Sequence, residues 1–105
     1  MAYFADRVVA ITGAGSGIGR ELALALARDG ALLALSDKSA DAVAESAKLC
    51  AAVGHEPTVT TLDVTDRAAV LDHAAATVAH YGRVEALFNN AGMCATNNEE
   101  VSVGS

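Results

Sequence analysis

Short apolar runs alternate along this chain with longer stretches in which apolar residues recur every three or four positions. Arg7 to Thr12 is a β-branched run, Arg-Val-Val-Ala-Ile-Thr, that ends at Gly13. An uninterrupted run of this kind predicts a strand buried on both faces. From Gly17 to Asp29 the apolar residues Ile18, Leu22, Ala25 and Leu26 recur at helical spacing, and Gly30 supplies a stop. Ala31 to Ser36 is apolar again and predicts a second strand. A helix is expected from about Ser39, with Val43, Ala47 and Cys50 on one face and Gly54 as its stop. Pro57 to Leu62 predicts a third strand. Thr65 is placed to N-cap a third helix carrying Val70, Ala74 and Val78, stopped by Gly82. Val84 to Phe88 predicts a fourth strand, followed by Asn89-Asn90-Ala91-Gly92.

The order β-α-β-α-β-α-β implies an α/β fold, a doubly wound parallel sheet of Rossmann type with strand order 3-2-1-4. The first two crossovers run one way from strand one, and the third crosses back. That reversal opens a crevice at the carboxyl ends of strands one and four, where ligands bind in such sheets. Residues 1–92 are expected to form this dinucleotide-binding half-domain. Residues 93–105 show neither periodicity and read as an irregular tail.

Composition removes several function classes. Of 105 residues 52% are hydrophobic and 19% charged, too apolar for a disordered chain. Seven basic residues against 13 acidic ones leave a net charge of −6. The basic residues are scattered singly, which argues against nucleic acid and against a polybasic membrane anchor. No apolar run reaches the roughly 18 residues of a spanning helix, and the amino terminus lacks a signal design. The expected location is therefore cytoplasmic. Cys50 and Cys94 are expected to stay reduced, Cys50 as core packing and Cys94 as a loop filler. The three histidines have no metal-ligand spacing, so no metal site is expected. His73 and His80, seven apart, are expected on a solvated helix face.

The informative chemistry lies in Thr12-Gly13-Ala14-Gly15-Ser16-Gly17-Ile18-Gly19. Gly13, Gly17 and Gly19 fit the pattern G-x-x-x-G-x-G. One glycine permits the sharp strand-to-helix turn, one removes the Cβ that would hold a pyrophosphate away, and one lets the helix pack closely on the strand. The first N–H groups of the helix, aided by its dipole, would then face the phosphates. No Lys-Ser/Thr follows the last glycine, which excludes a P-loop. Asp37, 18 residues after Gly19, falls at the end of strand two. A carboxylate there accepts hydrogen bonds from ribose hydroxyls and repels a 2′-phosphate, favouring NAD over NADP. Lys38 beside it works in the opposite direction.

The combination of Thr12-Gly13-x-x-x-Gly17-Ile18-Gly19, Asp37, Asp63-Val64 and Asn89-Asn90-Ala91-Gly92 resembles the short-chain dehydrogenase/reductase family over about residues 5–92. The resemblance implies an NAD(P)-dependent oxidoreductase that moves a hydride between nicotinamide and an alcohol or ketone. It implies that Asp63 bonds the adenine amino group and that Val64 lies against the ring. It implies further that Asn90 braces the sheet, while Ala91 and Gly92 let the cofactor ribose approach. With Gly13, Ser16, Gly17, Ile18, Gly19 and Asp37 these make the expected cofactor-binding set.

The family's catalytic Tyr-x-x-x-Lys has no counterpart. Tyr3 is followed four residues later by Arg7 and Tyr81 by Glu85. No residue is carried over as catalytic. The expected reading is the cofactor-binding portion of such an enzyme, truncated. The alternatives are a non-catalytic nucleotide-binding module or a nonfunctional truncated product. Strand four, apolar and open on its outer side, is expected to invite self-association.

Overall fold

A computed structural model describes residues 3–63 and 65–89. Its elements follow in the order β1 (Val8–Thr12), α1 (Gly17–Arg28), β2 (Leu32–Asp37), α2 (Ala40–Ala51), β3 (Thr58–Thr61), α3 (Arg67–Tyr81) and β4 (Ala86–Asn89). The four strands form one parallel sheet in the order β3-β2-β1-β4. The expected fold class and strand order are the observed ones.

β1 is the axis of the sheet. All five of its residues are buried, because it pairs with β2 on one side and β4 on the other and carries helices on both faces. Alternation sends Val9 and Ile11 to one face, where they join Leu33 and Leu35 of β2. Ala23, Leu26 and Ala27 of α1 and Val43, Ala47 and Cys50 of α2 close over them. α3 contributes nothing to that cluster and packs on β1 from the opposite face. There the sheet presents the small residues Ala10 and Ala34, which pair across β1 and β2.

The helix ends follow local chemistry. Gly30 and Gly82 both adopt φ 89°, the left-handed stop expected of them. Gly54 stops nothing by conformation. It is small because a Cβ there would run into the Ala27 carbonyl. Ser39 caps α2, its hydroxyl accepting from the Ala42 N–H at 3.1 Å.

Five expectations are corrected. α3 is capped by Asp66, not Thr65, since the Thr65 N–H and hydroxyl are both committed to Asp63. The inward face of α1 is Gly19, Ala23, Leu26 and Ala27, while Ile18 is 74% exposed and Ala25 is also exposed. In α3 the buried residues are His73 and Thr77, and Val78 faces outward. His73 thus lies under the helix against the sheet and not on a solvated face. β4 begins two residues later than expected, because Glu85 serves as a clamp. Its carboxylate accepts from the Val8 N–H at 2.6 Å, while its own N–H donates to the Val8 carbonyl.

Candidate nucleotide-binding site at the carboxyl edge of the sheet

The parallel registers bring the carboxyl ends of the strands to one edge. Thr12 lies beside Asn89, and Asp37 beside Thr61. The turn from Gly13 to Ser16 crosses this edge and is tied to β2 by the Ala14 N–H, which donates to the Ser36 carbonyl at 2.9 Å. The turn needs glycine at two points of left-handed backbone, Gly13 with φ 65° and Gly17 with φ 57°. A Cβ on Gly17 would meet nothing within 4 Å, so its missing side chain leaves an open approach to the start of α1.

That start is built to receive an anion. The first N–H groups of a helix have no intrahelical acceptor, and the aligned peptide dipoles place about half a positive charge there. α2 and α3 each have one of theirs satisfied by a capping side chain, Ser39 accepting from the Ala42 N–H and Asp66 from the Ala69 N–H. Ser16 stands at the N-cap of α1 in extended conformation, yet its side chain makes no capping bond, and the first turn holds no acidic residue. Ser16, Gly17 and Ile18 are exposed at this point, and Gly19 is buried one step further in.

Asp37 stands next to the turn, half-buried at the end of β2. Its Oδ2 accepts from the Gly15 N–H at 2.8 Å, and its Oδ1 accepts from the Ser39 N–H at 3.0 Å. Gly15 is buried beneath it. Sequence reasoning singled out the carboxylate but neither of the groups that hold it. Ser39, two residues after an aspartate and at a helix start, carried a readable signal; Gly15 carried none, lying between the three matched glycines.

Asp63, just past β3, is exposed and accepts at Oδ1 from the Thr65 N–H at 2.9 Å and hydroxyl at 2.8 Å. These bonds, the backbone one first, hold its carboxyl below the usual range, and Lys38 assists from nearby. The structure places Gly13 and Ser16 in the turn after β1, Gly17, Ile18 and Gly19 at the start of α1, Asp37 at the end of β2 and Asp63 just past β3, all toward the carboxyl edge of the sheet. Val64, Asn90, Ala91 and Gly92, the remaining expected cofactor residues, lie outside the described residues.

The residues present fit a dinucleotide: an uncapped helix start with open space beside Gly17, and an oriented carboxylate next to it. Neither tyrosine joins them. Tyr81 donates from its hydroxyl to the Leu33 carbonyl at 3.0 Å, near the beginning of β2 and so at the opposite end of the sheet. Tyr3 lies before β1, under the Arg7 guanidinium. Among the described residues no cluster of ligating side chains suits a metal ion. No helix among them is long and apolar enough to cross a membrane.

The model of the family described as short chain dehydrogenase matches residues 7–104. SadH of Mycobacterium tuberculosis, named as an oxidoreductase, is 48% identical over 102 residues, covering 97% of this chain. Levodione reductase of Leifsonia aquatica is 45% identical over 92 residues. The chain spans 37% of the length of SadH and 34% of that of levodione reductase. Among solved structures, a short chain dehydrogenase/reductase from Burkholderia phymatum in complex with NAD superposes with a TM-score of 0.78 at 38% identity. That match covers 84% of this chain and 31% of the other.

Proposed function

This chain belongs to the short-chain dehydrogenase family, and from that premise we propose that it forms the cofactor-binding part of an oxidoreductase, taking NAD(H) in preference to NADP(H). The observation that carries this reading is the Asp37 carboxylate, fixed between the N–H groups of Gly15 and Ser39 beside the uncapped start of α1. The α1 N–H groups hold the pyrophosphate, with Gly17 leaving room for it. Asp37 accepts from the adenosine ribose hydroxyls and repels a 2′-phosphate. Asp63 and Val64 hold the adenine, and Asn90, Ala91 and Gly92 border the second ribose, as the family resemblance implies. When bound, nicotinamide supplies the means of hydride transfer between an alcohol and a ketone. The proposed setting is the cytoplasm, where the buried Cys50 stays a thiol.

A second reading, a binding module without turnover of its own, is favoured by one observation. Both tyrosines lie at the end of the sheet away from the glycine turn, and neither is followed by Lys at the fourth position.

Fluorescence titration with NADH and NADPH tests the cofactor reading. Saturable binding with tighter affinity for NADH is expected. Gly17→Val should abolish it, by adding a side chain on the phosphate approach and straining a left-handed residue. Equal affinity for the two cofactors would overturn the preference. Absence of binding to either would overturn the reading itself.

A further inference from the structure

The geometry points to Gly15 as the residue that positions Asp37 and thereby sets the choice between a free ribose hydroxyl and a 2′-phosphate. The inference rests on the cofactor reading above and adds a determinant that none of the matched glycines supplies. Gly13 and Gly17 are glycine for their backbone conformation. Gly15 is not: its φ lies outside the left-handed region, so alanine would fit its backbone. What excludes a side chain is space. A Cβ on Gly15 would stand 2.8 Å from Asp37 Oδ2, 2.9 Å from Asp37 Cγ and 2.7 Å from Ala42 Cβ. All three distances are shorter than real Cβ contacts allow. Asp37 and the first turn of α2 have therefore closed directly onto the peptide of residue 15.

This closeness has a chemical purpose. Each carboxylate oxygen has two lone-pair sites. The Gly15 N–H takes one on Oδ2 and the Ser39 N–H one on Oδ1. One site on each oxygen remains, the pair needed for two vicinal hydroxyls. The two N–H donors come from different segments, the turn after β1 and the loop after β2, so together they fix the side-chain rotation. A carboxylate held in this way keeps its charge at one place. It bonds a ribose well and meets a 2′-phosphate with full repulsion. Were it free to swing aside, it would do both less well.

The test is Gly15→Ala, compared with the unmodified chain, Asp37→Ala and the double variant. Dissociation constants for NADH and NADPH are measured by fluorescence titration. Gly15→Ala should weaken NADH about tenfold, the loss of one well-placed charge-assisted hydrogen bond, while leaving NADPH unchanged or tighter. In the Asp37→Ala background the same substitution should not alter the NADH-to-NADPH ratio. A second readout needs no cofactor. The Gly15 amide proton resonance should move upfield in Asp37→Asn and stay in place in Asp41→Asn, which alters a neighbouring exposed carboxylate. A chain that prefers NADH, but whose Gly15→Ala variant loses both cofactors equally, overturns the role of Gly15. So does a Gly15 amide resonance that ignores Asp37. A chain with no preference overturns the proposed choice of NAD(H), and this inference with it; a chain that binds neither cofactor overturns the cofactor reading itself.

Discussion

The Arg20 guanidinium of α1 donates from Nε to the Ser46 hydroxyl of α2 at 2.8 Å and from Nη2 to the Ala42 carbonyl at 3.2 Å. Ser46 is fully buried in an otherwise apolar face. The pair joins the two helices that cover one side of the sheet, directly behind the glycine turn. Arg20→Met leaves that hydroxyl without its guanidinium partner in the interior and should cost about 1–3 kcal/mol. In a chain of this size each kcal/mol lowers Tm by about 4–8 °C. Thermal unfolding followed by circular dichroism measures the loss. Combining Arg20→Met with Ser46→Ala should cost less than the sum of the two, since both act on one bond.

His73 predicts how stability varies with pH. The ring is 4% exposed, neither nitrogen has a hydrogen-bond partner among the described residues, and burial holds its pKa below the ordinary value of 6.5. The nearby Ala34 backbone offsets this only in part. A group with a lowered folded pKa gains protons more readily when unfolded. Its contribution is complete above about pH 6.5 and is lost as pH falls toward the folded value. Denaturant unfolding at pH 7 and pH 5 should show lower stability at pH 5, by at most about 1.4 kcal/mol per pH unit from this one group. His73→Leu should flatten the difference. A slope unchanged in that variant would assign the effect elsewhere.

β4 pairs with β1 on one side, and among the described residues nothing pairs with its other edge. Ala86 and Phe88 are partly buried against the core, so the exposed apolar surface of the expected edge strand is mainly Leu87, 36% exposed. A strand edge left without a partner invites pairing with a second copy. Light scattering should show self-association that Leu87→Lys reduces. A clean monomer unfolding cooperatively above about 65 °C, beyond the usual mesophile range, would count against this.

The 105-residue chain should bind cofactor without turnover. Hydride transfer to a carbonyl needs a proton donor at the forming alkoxide, and such groups contribute about 10²–10⁴-fold. The Tyr81 hydroxyl is occupied with the Leu33 carbonyl, and burial raises its pKa. An absorbance assay over a panel of alcohols and ketones should therefore stay at background. Saturable turnover abolished by Gly17→Trp would reveal a catalytic group in this chain.

The strands and the turn were legible because their residues admit few alternatives. A β-branched run closed by glycine, as at Val8 to Gly13, fits little besides a buried strand entering a turn. Asp37 was legible for a similar reason, at the end of the next apolar run. The helix faces were harder to read. α1 and α3 are rich in alanine, which is at home both inside and outside, so spacing gave little contrast between Leu22, Ala23, Ala25 and Ala27. His73 and Thr77 look like solvent residues until Ala10 and Ala34 leave room for them beneath α3. Thr65 and Asp66 are equally good caps as residue types. Only the commitment of Thr65 to Asp63 decides between them. The Gly15–Asp37 contact joins residues 22 apart and leaves no local trace.

The placement of β1 between β2 and β4 also dictates an order of assembly. β1 meets β2 after one helix, with Val8 beside Leu32, but its other edge waits for Ala86 to Asn89. The bond from Val8 to Glu85 spans 77 residues. Closing so long a loop is slow compared with forming a helix or joining neighbouring strands. On a ribosome the β3-β2-β1 side can gather while the chain is still emerging. β1, which leaves the tunnel before the other three described strands, is completed only when β4 arrives.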